Sequence, residues 1–235
     1  MEKVRIHFVD SLRGIAVITM IIFHTAFILN YFNVASLDPH SGIWLIFARF
    51  TQFTFISLVG FSLYLSFRSR KPVVFLKKQF TRAFKLILIS VGVSAVTYIF
   101  VNDEFVRFGI LHFIALGIII GALLIPFRKI CISMIVIPLI SGAVTSQINI
   151  DTVFLLPFGI IPTYFATLDY FPLFPWLSLL FFGIEMGRIL DSYKLLKNPA
   201  MPRFHILESL GQNALLIYLI HLPLLYGIIY LINIK

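Results

Sequence analysis

The stretch Phe8-Val9-Asp10-Ser11-Leu12-Arg13-Gly14-Ile15-Ala16-Val17-Ile18-Thr19-Met20-Ile21-Ile22-Phe23-His24 decides how this chain is read. It opens on a charged edge at Asp10 and Arg13, runs apolar, and ends on a histidine. Arg13 and His24 are eleven positions apart. At 100° per residue that is almost three whole turns, so one helical stripe carries both. Along the axis they are roughly 16 Å apart. If this helix crosses a membrane, Arg13 stands at one surface and His24 is buried past the middle. A titratable group at such depth is expensive to place, and its default reading is functional.

Composition supports the membrane reading. Of 235 residues, 60% are hydrophobic and only 12% are charged. Mean hydropathy is +0.99. A soluble domain carries about a quarter charged residues, so this chain cannot cover itself with polar surface. The net charge of +9 is gathered between apolar spans. That placement fits the positive-inside rule and speaks against nucleic acid. The single Cys131 excludes an internal disulfide and a multi-cysteine metal site. The first apolar run, Gly14 to Phe32, is too long for a signal peptide and lacks a cleavage site after it. It is expected to stay as the first span.

An all-α bundle of about seven membrane spans follows, near 12–32, 43–67, 84–101, 106–127, 130–147, 171–190 and 209–233. One integral-membrane domain is expected over 1–235. The N-terminus, the second connection (Arg68 to Lys85), the fourth (Arg128, Lys129) and the sixth (Arg188 to Arg203) are basic. The first, third and fifth hold Asp38, Asp103, Glu104, Asp151 and Asp169, with Arg107 as their only cation. The alternation predicts a cytoplasmic N-terminus and an outer C-terminus, most simply in the cell membrane. Residues 148–170 are apolar but broken by Pro157, Gly159 and Pro162, and read as interfacial or re-entrant. Gly117 and Gly121, Gly183 and Gly187, and Ser57, Gly60 and Ser62 are packing signals for close helix approach.

Orientation turns position into depth. His24, His112 and His221, with Arg49 and Gln52, fall in one layer of the outer half. Asp10, Arg13, Arg82, Glu185 and Arg188 fall at the cytoplasmic face. Each has a plainer reading: an intramembrane histidine can bond a neighbouring helix, and Arg49 can snorkel to headgroups. His40, in Asp38-Pro39-His40-Ser41-Gly42, can be a turn residue, and His7 and His205 read as solvated flanks. The three histidines sit on separate helices without short ligand spacing, so no metal is expected. The basic second connection serves topology and anionic lipid, or binds a phosphate-rich ligand. No Walker or Rossmann glycine pattern is present.

Four blocks carry a resemblance. They are Val9-Asp10-Ser11-Leu12-Arg13-Gly14-Ile15-Ala16; Arg107-Phe108-Gly109-Ile110-Leu111-His112-Phe113-Ile114-Ala115; Phe171-Pro172-Leu173-Phe174-Pro175-Trp176 with Gly183-Ile184-Glu185-Met186-Gly187; and Leu210 to His221. Together, in this order, they resemble the catalytic-domain family of heparan-α-glucosaminide N-acetyltransferase. Arg, ten residues, then His is also a pattern of the membrane acyltransferases that O-acetylate bacterial glycans.

The resemblance implies acetyl transfer from cytoplasmic acetyl-CoA to an amino-sugar or other glycan acceptor on the far side. The donor site would comprise Asp10, Arg13, Lys78, Arg82 and Arg188, with the phosphates on the cations. The acceptor would meet Arg49, Trp176 and His221. His24, His112 and His40 are the catalytic candidates. In the animal enzyme the catalytic histidine is placed in the loop after the first helix, where only His40 stands here, so His24 and His40 both remain. Such a histidine would act as a base or be acetylated itself. Expected partners are acetyl-CoA, the acceptor, the bilayer and, as an open choice, a second copy of the chain. A transporter or flippase with the histidines as a proton relay is the runner-up. Against it, the chain lacks matching interrupted helices in two halves. A non-catalytic assembly protein would leave both polar layers without a use.

Overall fold

The protein is described by a computed structural model that covers residues 7–39, 41–195 and 203–233. Among these the fold is helical, with no strands. Eight α-helices follow in order: α1 (His7–Tyr31), α2 (Gly42–Arg68), α3 (Pro72–Val101), α4 (Ile110–Leu124), α5 (Arg128–Thr145), α6 (Leu173–Ser192), α7 (His205–Gln212) and α8 (Ala214–Asn233). Among the described residues six are long and apolar enough to cross a membrane: α1, α2, α3, α5, α6 and α8. The all-α membrane architecture expected from composition is therefore what the chain adopts. At 15 residues α4 rises only about 22 Å, short of a 30 Å hydrocarbon core.

Several element ends differ from the expected spans, each for a local reason. The basic connection 68–85 is mostly helix. Lys71 is extended (φ −64°, ψ 145°) and Pro72 starts α3, where its fixed φ suits a first turn and its missing N–H costs nothing. Lys78 and Arg82 are thus exposed on this helix, along the edge of a buried stripe of Phe75, Gln79, Ala83 and Leu86. The span expected over 106–127 begins only at Ile110. The last expected span is two helices broken at Asn213. There the side-chain amide donates to Ser209 O at 2.9 Å while the backbone N–H donates to the same carbonyl at 3.2 Å, so the turn closes on itself. Residues 148–170 contain no long helix, only a 3₁₀ turn over Val153–Phe158 and two isolated bridges.

The chain forms two compact units, Met1–Phe55 with Lys194–Lys235, and Ile56–Tyr193. In the first, α1 packs on α7 and α8. Its buried residues Val9, Asp10, Gly14, Val17 and Met20 recur at helical steps, and His24 continues that stripe. Gly14 and Gly211 let α1 and α7 touch backbone to backbone. A Cβ on Gly14 would lie 2.1 Å from Leu207 O, and one on Gly211 would lie 1.9 Å from Asp10 O.

The second unit repeats this device between α2 and α6. A Cβ on Gly60 or on Gly183 would lie 1.9 Å from Leu180 O or Ser57 O. These are the small residues singled out in the sequence as packing signals. Around them Leu63, Phe113, Ile118, Phe181 and Ile184 are fully buried.

Candidate active site

The first unit brings His24 and His221 together. His221 Nε2 lies 3.2 Å from His24 Nδ1, with ring centroids 4.8 Å apart at 62°. His24 Nδ1 is also 2.9 Å from Met20 O. His221 Nδ1 is 3.1 Å from Ile217 O and 2.7 Å from Tyr218 O. Carbonyl oxygens only accept, so each Nδ1 that faces one must carry the hydrogen. With both rings neutral, His24 donates from Nδ1 to Met20 O and to His221 Nε2. This assignment rests on the acceptors around the rings. It leaves the lone pair of the first ring on His24 Nε2, for which no partner is found among the described residues. His24 is half-buried, while His221 is only 4% exposed.

Lower on the same α1 stripe, Arg13 Nη1 donates to Asp10 Oδ1 at 2.9 Å. The pair sits beside the Gly14–Gly211 crossing, where the two backbones fix Asp10 in place. Nearby, His7 Nδ1 is 2.8 Å from Glu208 Oε2, and Arg203 Nη2 is 3.8 Å from the same oxygen. His7 was expected to be solvated, but it is only about one-third exposed and pairs with Glu208. Burial works against ionisation of Glu208. The His7 hydrogen bond and the charges of His7, Arg203 and His205 outweigh it and hold the carboxyl below its ordinary range. Arg49, exposed on α2, donates to Gln52 Oε1 at 3.1 Å.

His112, Trp176 and Arg188 belong to the second unit. His112 stands in the first turn of α4, where its Nδ1 accepts from Gly109 N at 3.3 Å. That bond spends the lone pair and leaves the hydrogen on Nε2 in the neutral ring. Its ring stacks on Phe108 at 5.6 Å. Asp169 Oδ2 accepts from Ile110 N at 2.8 Å, and it approaches so closely that a Cβ on Gly109 would lie 2.3 Å from it. Arg107 donates to Ala166 O at 2.5 Å and to Asp103 O at 3.0 Å. The Arg107–His112 block thus ties the start of α4 to the segment before α6. Tyr170 donates to Leu156 O at 2.8 Å, and burial pushes its hydroxyl up to about 12. Trp176 lies 4.8 Å from the Phe171 ring.

Arg188 is engaged on three sides. It pairs with Glu185 at 2.9 Å, donates to Ile125 O, and lies 5.5 Å over the Tyr64 ring. Arg128 approaches Glu185 at 3.5 Å. Asp191, not singled out in the sequence, accepts from Tyr64 at 2.9 Å and pairs with Arg68 at 2.5 Å. His40 lies outside the described residues. Among the described residues no cluster of three or more His, Cys, Asp or Glu is arranged to hold a metal.

A family model described as heparan-alpha-glucosaminide N-acetyltransferase, catalytic, matches residues 5–223. The chain belongs to that family. No curated protein and no solved structure matches it. Membership of this acetyltransferase family, with six spanning-length apolar helices, makes the chain an integral membrane protein and a transferase. The match takes in both units. In the heparan-α-glucosaminide N-acetyltransferase family, as in any acetyl transfer to an amine or hydroxyl, a group must take the proton of the attacking atom. His24 Nε2 and His112 Nε2 differ on this point: the first is a lone pair, the second an N–H.

Proposed function

We propose that the protein transfers acetyl from cytoplasmic acetyl-CoA to an amino-sugar or other glycan-type acceptor at the outer face of the cell membrane, with His24 as the proton acceptor. The single observation that carries this reading is the bonding of the His24 ring. Its Nδ1 is fixed by Met20 O and His221, so the lone pair is presented on Nε2. Arg13, on the same helix and the same stripe, anchors the donor through a phosphate, with its guanidinium oriented by Asp10. The roughly 16 Å between Arg13 and His24 is spanned by the pantetheine arm. The acceptor amine or hydroxyl attacks the thioester carbonyl, its proton passes to His24 Nε2, and the C–S bond breaks. The proton then reaches the leaving thiolate, giving CoA as the free thiol. His112 is read as a cap of α4, and Arg188 as a strut between α6 and the end of α4. Arg49, in the same unit as His24, is a candidate contact for the acceptor, to be tested alone. α4 is too short to cross alone, so the seventh span is taken as α4 together with the apolar residues that flank it, near 106–127, which keeps the N-terminus in the cytoplasm and the C-terminus outside. The chain works as one acyltransferase domain.

The test is acetyl transfer by the purified full-length protein in liposomes, with labelled acetyl-CoA on one side and hexosamines on the other. Labelled N- or O-acetyl sugar and stoichiometric free CoA are expected. Arg13→Ala should weaken CoA binding about tenfold or more, the value of one charge-assisted phosphate contact. The His24–His221 contact also suits a transporter that relays protons. Proton flux coupled to sugar movement, with acetyl-CoA left intact, would favour that reading.

A further inference from the structure

We propose that His221 is a positioning residue for His24, the second member of a histidine pair that selects which nitrogen of His24 is basic. The inference rests on the reading of His24 as the proton acceptor. A neutral imidazole carries one hydrogen, and nothing within the His24 ring decides which nitrogen holds it. Two acceptors decide it from outside. One is Met20 O, on the preceding turn of α1. The other is His221 Nε2, from a helix 197 residues away in sequence.

His221 can play that part because its own hydrogen is committed. Ile217 O and Tyr218 O both face its Nδ1, at 3.1 and 2.7 Å. Its Nε2 is therefore the lone pair, and it is aimed at His24. The opposite tautomer of either ring would set two N–H groups against each other, or a lone pair against a carbonyl oxygen. The chain of bonds from the α8 backbone through His221 to His24 thus has one consistent direction. It resembles in logic the carboxylate that orients the histidine of a catalytic triad, with a neutral ring in place of the charge.

The pair also changes with the reaction. When His24 Nε2 takes the acceptor's proton, the ring becomes a cation that keeps its Nδ1–H. The bond from Nδ1 to His221 Nε2 is then charge-assisted and stronger than in the resting state. His221 gains no proton overall. The proton on His24 Nε2 goes on to the CoA thiolate, and both rings return to neutral.

Three variants of the full-length protein in nanodiscs test this: His24→Ala, His221→Leu and His221→Gln. The glutamine amide oxygen can stand where Nε2 stands and accept from His24 Nδ1, whereas leucine cannot. His221→Leu should lose about a hundredfold in kcat, the lower end of general-base effects, with the KM for acetyl-CoA unchanged. His221→Gln should recover most of that loss. Independently, ¹⁵N spectra of the histidine-labelled wild type should show the His24 ring protonated at Nδ1 and bare at Nε2, its signals identified by their absence in His24→Ala. A His24 ring protonated at Nε2 in the wild type would overturn the proposal, even if His221→Leu failed to fold. So would equal losses in the leucine and glutamine variants, or wild-type turnover in His221→Leu beside an inactive His24→Ala. Full turnover in His24→Ala would instead sink the reading of His24 on which this one stands.

Discussion

His221 Nε2 lies 3.2 Å from His24 Nδ1, joining α1 to α8 through two residues 197 positions apart. Both rings also bond backbone carbonyls of their own helices. This one contact gives the histidine of α1 a defined basic nitrogen, and it lies on the stripe that carries Arg13 at the other end.

That stripe depends on the crossing of α1 and α7. Gly14 and Gly211 each face a backbone oxygen at a distance no Cβ can share. Gly14→Ala and Gly211→Ala should therefore push the two backbones apart and cost about 1–3 kcal/mol, the usual range for overpacking. Thermal unfolding in detergent measures this. An unchanged midpoint in both variants would contradict the reciprocal packing.

His112 separates a structural histidine from a catalytic one. Its lone pair accepts from Gly109 N, so removing it frees one backbone N–H at the start of α4. His112→Ala should lose about 1 kcal/mol of stability, as a lost cap does, and keep near-normal turnover per folded molecule. His112→Asn, which can still accept at that place, should recover part of the stability. Turnover lost a hundredfold in a fully folded His112→Ala would return His112 to the chemistry.

Glu208 gives the first unit an acid limit. Burial opposes its charge, but His7, Arg203 and His205 together hold its carboxyl below the ordinary value of 4.5. A carboxylate with a lowered folded pKa contributes stability that is present above the unfolded pKa. That stability is lost as the pH falls through the folded one. The unfolding midpoint of the wild type should thus fall more steeply than that of Glu208→Gln as the pH drops below about 4.5, and the two should converge in acid. Parallel curves at all pH values would show that the His7–Glu208 contact has no part in stability.

Much of this is legible in the sequence itself. A ten-residue gap between Arg13 and His24 on an apolar helix is enough to place both on one face, and Gly60 and Gly183 announced a close crossing. Other features leave no local trace. The His24–His221 and His7–Glu208 contacts join residues about 200 positions apart, and hydropathy carries no information on pairing. The first two turns of α3 were hidden because Lys77 and Lys78 lower hydropathy as a loop does, although Pro72 marks a helix start. The break at Asn213 was hidden because an asparagine bonding its own turn hardly changes apolar character. His112 looked like a third member of a histidine layer because a helix expected to begin at 106 would carry it deeper than its true place in the first turn of α4.

The most direct test of the central claim is acetyl transfer and CoA binding measured side by side for His24→Ala and His40→Ala. His24→Ala is expected to fold, to bind CoA like the wild type, and to lose about a hundred- to ten-thousand-fold in turnover, the range for a missing general base. His40→Ala should stay active. Near-normal turnover in His24→Ala with loss in His40→Ala would move the chemistry to the connection between α1 and α2 and contradict this account of the first helix.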